Sequence, residues 1–246
     1  MIRQLLTPYW HKFHDLMMAG RRKKFYAALI RPGDLCFDVG ANAGNRTAIF
    51  LGLDARVVAV EPQPACVTNL TRRFGDRITI VPKGLGAEAG QLPMHISNAS
   101  TLSSFSKEWV DTMQQERFSQ YAWNETITVP ITTLDHLIAT HGTPSFCKID
   151  VEGFELQVLR GLTQPIPMLS FEYAVPEAQA NLLAAVELLG SLTADVRFNY
   201  SPGETMRMAL PDYIPLSSFK QLIGTPAFTH TQFGDVYVRS VVQSRF

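Results

Sequence analysis

Charge of one sign is not in excess in this chain: 22 Lys and Arg stand against 22 Asp and Glu, a formal net charge of zero. A dedicated nucleic-acid binder carries a basic domain, so no nucleic-acid partner is expected. Cysteine is scarce, with three in 246 residues and no C-x-x-C spacing, which excludes a disulfide framework and a thiolate metal site. Cys36, Cys66 and Cys147 lie in strand-like or helix-like apolar runs and read as small buried hydrophobes. No apolar run reaches the ~18 residues of a membrane span. The N-terminus lacks the apolar core of a signal peptide, so a cytoplasmic location is expected. Repeats, low-complexity segments and H-x-x-x-H zinc pairs are all missing. His11 and His14, three apart on a helix-like segment, read as exposed, and the basic run 21–24 reads as a solvated helix turn.

What is present is a substantial core, with 46% hydrophobic and 18% charged residues. Residues 1–30 look helical and are expected to cap a sheet. A Pro-Gly turn at 32–33 then opens the main domain, 31–246. Apolar strands are expected at 35–39, 56–62 and 77–82, separated by helices at 45–53 and 64–74, the second with Val67, Leu70 and Phe74 on one face. Strands alternating with helices of this length predict parallel βαβ units with right-handed crossovers. The alternation pauses over 83–132, an insertion expected to face substrate. It resumes with a helix capped by Thr133, a strand ending on Asp150, a helix carrying Phe154, Val158 and Leu162, and a strand ending on Glu172. A helix over 177–189 is expected to stop at Gly190. Two final strands follow, joined by a long loop, and FGDVYVRS alternates like a half-exposed antiparallel strand.

The densest information lies in CFDVGANAGNRT, 36–47, and VVAVEP, 57–62. A strand runs into a glycine turn and a helix, and the next strand ends on Glu61, 21 residues after Gly40. That is the nucleotide-binding arrangement of α/β sheets. A dinucleotide pyrophosphate needs the second Gly of G-x-G-x-x-G; here the pattern is Asp38-x-Gly40-x-Asn42-x-Gly44. S-adenosylmethionine (SAM) has no pyrophosphate. It offers ribose hydroxyls to Glu61 and two positive groups that suit an acid at Asp38.

Ligands of open α/β sheets bind beyond the carboxyl ends of the strands, which gathers Asp38, Glu61, the turn 83–85, Asp150 and Glu172 on one rim. Asp150, Glu152 and Glu172 could position a hydroxyl, accept its proton or hold a divalent metal. Glu152 could instead cap the following helix, and Glu172 could pair with Lys148. DVGANAGNRT, AVEP, TLDHL and KIDVEGFELQVLRGL together resemble the FkbM family of SAM-dependent methyltransferases, over about 32–172.

The resemblance implies a class I methyltransferase fold. This is an α/β, Rossmann-like, seven-stranded, mostly parallel sheet with helices on both faces and one antiparallel strand near the C-terminus. It also implies methyl transfer to hydroxyls of sugars, glycans or similar metabolites. Carried onto this sequence, Asp38, Gly40, Asn42 and Gly44 would line SAM, Glu61 would take the ribose, and Gly84 and Leu85 would flank the adenine. Asp150 would sit near the methyl group. The pairing of Asp150 with Glu172 resembles metal-dependent O-methyltransferases. Asp150 is the first candidate for the base, with His95 and His141 behind it. The segment 100–104, STLSS, offers hydroxyls to a polyol. The competing readings are a SAM-binding protein without turnover, a nicotinamide oxidoreductase, which wants the missing glycine, and a nucleic-acid methyltransferase. The last would carry [DNS]-P-P-[YFW] where this chain has Asp150-Val-Glu-Gly.

Overall fold

A computed structural model describes residues 20–240. His11, His14 and most of the expected N-terminal cap lie outside the described residues.

The main sheet has eight strands. β1 (Leu35–Val39), β2 (Arg56–Val60) and β3 (Thr79–Val81) run outward to one side, and β7 (Phe146–Ile149) and β8 (Met168–Ala174) to the other. β11 (Phe233–Ser240), β9 (Val196–Pro202) and the two-residue β10 (Ile214–Pro215) complete the order β10-β9-β11-β8-β7-β1-β2-β3. The pairs among β3, β2, β1, β7 and β8 are parallel, whereas β11 is antiparallel to both β8 and β9. This is the mostly parallel sheet the resemblance implied, with β10 added at the edge. The chain winds one way from β1 and returns to add β7 on the other side, so the switch point lies between β1 and β7.

Strands covered on both faces are apolar throughout. Leu35, Phe37 and Val39 face one core with α5 (Leu134–His141), α6 (Glu155–Arg160), α7 (Gln179–Leu192) and α8 (Leu216–Ile223). Cys36, Val57 and Ala59 face the other. That core is closed by the helical residues 20–26 (α1), by α2 (Asn45–Leu51) and by α3 (Pro64–Phe74). Tyr26 is its hub, edge-on to Phe50 at 5.1 Å and to Phe146 at 5.8 Å. The insertion builds its own sheet, β4 (Gly84–Leu85), β6 (Glu125–Thr132) and β5 (Gly90–Ile96), and a helix α4 (Lys107–Glu116).

Four expectations are corrected. On α3 the buried face is Cys66, Leu70 and Phe74, with Cys66 rather than Val67 at the i, i+4, i+8 spacing. α7 begins at Gln179, because Glu177 turns away to Arg117 at 2.7 Å. It also runs through Gly190 to Leu192. A Cβ at Gly190 would lie 2.4 Å from Leu216 Cδ2, so this glycine makes room for α8 instead of ending the helix. β11 is not half-exposed, since it lies between β8 and β9 and Gly234 to Val238 are all buried. The loop expected before it holds α8 and the short α9 (Pro226–Thr229), whose Phe219 and Phe228 are fully buried.

Thr133 caps α5 as expected, its hydroxyl accepting from the His136 amide at 3.1 Å. Losing such a cap costs about 1 kcal/mol. Thr133→Ala is therefore expected to lower the unfolding free energy by about that amount in urea titration, with an unchanged m-value.

Candidate active site

At the switch point Gly40 leaves β1 with φ 80. A Cβ there would lie 1.8 Å from the Asp150 carbonyl oxygen, so the turn passes β7 at a distance only glycine allows. Gly44, φ 77, ends the turn and precedes α2. Its missing Cβ makes room for Leu70 and Phe74 of α3. Between them the Asn42 amide donates to Glu61 Oε2 at 2.7 Å, and the Gln63 amide to Oε1 at 2.8 Å. Glu61 is buried. Burial raises its pKa against the opposing pull of these amides. Each carboxylate oxygen keeps a lone pair for a further donor.

These residues wall a cavity of about 610 Å3, open mouth included. Gly40, Asn42, Glu61, Gly84, Leu85 and Asp150 all line it. Asp38 and Gly44 do not. Asp38 lies buried behind the turn, accepting from the Thr47 hydroxyl at 2.5 Å, and burial raises its pKa. Its visible work is to tie β1 to α2. His95 and His141 do not line the cavity either: His95 Nδ1 meets the Thr126 hydroxyl at 3.3 Å, and His141 sits edge-on to Phe37. Ser100, Thr101 and Ser103 line this same cavity. Gln63 holds them there, donating to the Ser100 carbonyl at 3.1 Å and accepting from the Ser103 hydroxyl at 3.1 Å. Leu85, Met94 and Phe105 make part of its wall apolar.

Beyond β7 the site turns acidic. Lys148, 1% exposed, extends its ammonium between Asp150 Oδ2 and Asp235 Oδ1, 3.0 Å from each. It does not pair with Glu172, the alternative read from sequence. Burial opposes the lysine's charge, but the two carboxylates outweigh it and hold its pKa well above the ordinary value. Burial likewise opposes ionisation of Asp150, and Lys148 overcomes it, so this carboxyl is held below its ordinary range. Glu152 and Glu172 are pushed the other way, by burial first and then by neighbouring carboxylates. One oxygen from each of Asp150, Glu152 and Glu172 can be chosen so that all three lie within 4.8 Å of one another. Hard oxygen donors this close fit a divalent cation.

Glu152 adopts φ 53, a conformation unusual for a side-chain-bearing residue. The Ser104 hydroxyl holds it there, donating to the Glu152 carbonyl at 2.6 Å. The helix cap imagined for Glu152 is not made, since α6 has no side-chain cap; Glu155 at its start instead ties down the preceding turn, its Oε1 accepting from the Val151 and Gly153 amides at 3.0 and 3.3 Å.

Sequence reasoning missed Gln63, Glu155 and Asp235. An acid in the first turn of a helix was a usable signal for Glu155. A lone carboxylate within the apolar run of β11 was one for Asp235.

The family model described as "Methyltransferase FkbM domain" matches residues 38–187, more than half of the chain. Hexuronic acid methyltransferase AglP of Haloferax volcanii is 29% identical over 142 residues, which cover 56% of this chain and 54% of that protein. The chain thus spans about half the length of this curated relative. Two solved structures resemble the fold at low identity. A TehB-like SAM-dependent methyltransferase from Corynebacterium glutamicum has 9% identity and TM-score 0.47, covering 97% of this chain and 100% of that one. Precorrin-6y C5,15-methyltransferase from Geobacter metallireducens has 12% identity and TM-score 0.42, covering 89% and 88%. No helix among the described residues is long and apolar enough to cross a membrane.

Burial, opposed by its two amide bonds, lifts the Glu155 carboxyl to about 7 from an ordinary 4.5. A folded acid with a raised pKa binds more protons than the unfolded chain, so its contribution to stability is full below about 4.5 and is lost as pH rises through about 7. Glu155→Gln keeps the acceptor oxygen and removes the titration. Its thermal midpoint is expected to fall less steeply than the native protein's across this interval, as read by calorimetry at several pH values.

Proposed function

The chain belongs to the FkbM methyltransferase family, and on that premise we propose that it transfers the methyl group of SAM, in line, to a hydroxyl of a sugar, glycan or other small metabolite. The observation that carries the reading is the single cavity that joins the Gly40 turn and Glu61 at one end to Asp150 at the other. When bound, SAM supplies a methyl group already activated by its sulfonium.

The chain's own residues do the rest. Glu61, its carboxylate held rigid by two backbone amides, takes the ribose hydroxyls. Gly84 and Leu85 flank the adenine. Gly40 and Asn42 let the backbone approach the ligand closely, while Asp38 and Gly44 shape the turn from behind. Asp150, kept ionised by Lys148, accepts the hydrogen bond of the acceptor hydroxyl and aims its lone pair at the methyl carbon. Such orientation alone can supply roughly 7–11 kcal/mol of a barrier. The hydroxyl proton would pass to this carboxylate cluster as the acceptor oxygen takes the methyl group. Glu152 and Glu172, with their raised pKa values, retain a proton more readily than Asp150 does.

Asp150, Glu152 and Glu172 would also hold a divalent cation. Bound there, it would supply Lewis acidity to the acceptor oxygen. A relative named for methylating hexuronic acid supports a sugar as acceptor. A formal net charge of zero supports a small molecule over nucleic acid.

The test is calorimetric titration with S-adenosylhomocysteine, with NAD as control, with and without magnesium. Micromolar binding of the first alone is expected, and binding of NAD instead would overturn the reading. Glu61→Ala should weaken that affinity at least about tenfold, or about 1.4 kcal/mol. Asp150→Asn should keep the affinity within a few-fold and abolish methyl transfer in a screen of sugars and hydroxylated metabolites. A fully active Asp150→Asn enzyme would remove Asp150 from the chemistry.

A further inference from the structure

Methyl transfer from SAM, as proposed above, requires a second space for the acceptor beside the cofactor cavity, and the assignment of that space rests on the methyltransferase reading. Asp150 and Glu152 line the cofactor cavity. Glu172 lines a different, shallow cleft that opens to solvent, with Gly153 of the β7–α6 turn and Glu155 and Leu156 of α6 in its wall. Because the three carboxylates come within 4.8 Å of one another, they form the point where the two spaces meet. The walls of the second cleft include Trp109, Phe171, Tyr173, Asn181 and Leu182. It continues along α4 into a further recess that shares Trp109, Gly153, Ala178 and Asn181 with it and adds Ser106 and Thr112.

Trp109 is held firmly in this cleft. It rests on Gly153, where a Cβ would lie 2.2 Å from its Cδ1, and Gly153 has φ 86. The turn that carries Asp150 and Glu152 is thus shaped to receive the indole. Trp123, edge-on at 6.5 Å, and Phe118, at 6.3 Å, support it from behind. The Trp123 indole N–H is itself fixed, donating to the Leu102 carbonyl at 2.7 Å.

We propose that this cleft is the acceptor site and that it takes a pyranose ring against Trp109, with one ring hydroxyl on the carboxylates. The wall chemistry argues for a sugar. An indole face is negative and attracts the polarised C–H groups on the apolar side of a pyranose. The Asn181 amide offers both donors and an acceptor to the ring's hydroxyl edge. The carboxylates accept from a hydroxyl but repel a carboxylate, so an acidic sugar enters with its own carboxylate directed away from Asp150. Glu177, although it lines the recess, is already committed to Arg117.

The test is saturation-transfer NMR on protein filled with S-adenosylhomocysteine. The probes are methyl β-D-glucopyranoside and methyl β-D-glucuronide at millimolar concentration, with catechol as a flat aromatic control. Saturation is expected at the ring C–H groups of at least one glycoside. Trp109→Ala and Asn181→Leu should each reduce it at least about fivefold while S-adenosylhomocysteine affinity stays within about twofold. If Trp109→Ala does not fold, Asn181→Leu alone decides. Three results would overturn the proposal: no transfer from either glycoside, transfer unaffected by the variants, or transfer from catechol and neither sugar. Failure of the native protein to bind S-adenosylhomocysteine would instead refute the methyltransferase reading, so the two failures are separable.

Discussion

The site depends on one close approach, that of the Gly40 α-carbon to the carbonyl oxygen of Asp150. A methyl group on Gly40 would lie 1.8 Å from that oxygen, and backbone on both sides leaves nothing flexible to yield. The contact occurs where the chain reverses its winding, between β1 and β7. It brings two segments more than a hundred residues apart to one spot. It also sets where the cavity opens, because one of the two amides that fix Glu61, that of Asn42, lies in the turn that Gly40 begins. Gly44 repeats the device one helix away, against Leu70 and Phe74. The two glycines therefore serve packing between elements as much as ligand approach.

Charge is the second constraint. A lysine with 1% exposure in a central strand is costly, and buried ion pairs often stabilise no better than well-packed apolar side chains. Lys148 answers two carboxylates at 3.0 Å, one from β11 and one at the end of β7. Its effect is asymmetric. It holds Asp150 ionised, while Glu152 and Glu172 are driven toward the protonated form. Three acids within 4.8 Å of one another are thereby pushed in opposite directions. Groups whose environments push their pKa values apart are the ones that can divide acid and base work.

The parts of this molecule legible in sequence are those where local pattern and tertiary role coincide. The doubly wound sheet could be read because β1, β2, β7 and β8 are almost wholly buried and mostly apolar, and helices join β1 to β2, β2 to β3 and β7 to β8. Glu61 and the Gly40 turn could be read because chain spacing alone brings them together. Asp38 misled for a physical reason: its place at a strand end looks identical whether the carboxylate faces a ligand or, as here, the Thr47 hydroxyl behind the turn. Gly190 misled because a glycine that ends a helix and one that admits Leu216 have the same letter. The Gln63 side chain reaches Ser100 and Ser103 and the Asp235 carboxylate reaches Lys148, all distant in sequence, and no periodicity reports such pairs.

The insertion shows how the core and the specific parts of the site are joined. Its sheet packs a small core of its own around Met94, Val129 and Ile131, so it holds shape without adding strands to the main sheet. From that base it reaches the shared chemistry at three points. The loop 100–103 closes on Gln63 over the cofactor cavity. Ser104 grips the Glu152 carbonyl and so fixes an acid in an otherwise unfavourable backbone conformation. Trp109 then seats on Gly153, one residue further. Two of these contacts, from Ser104 and Trp109, thus brace the turn that carries Asp150 and Glu152, and the other braces Gln63 beside Glu61. Loosening the insertion would therefore act on the walls of the cavity, Ser100, Thr101, Ser103 and Glu152, before it reached the main sheet.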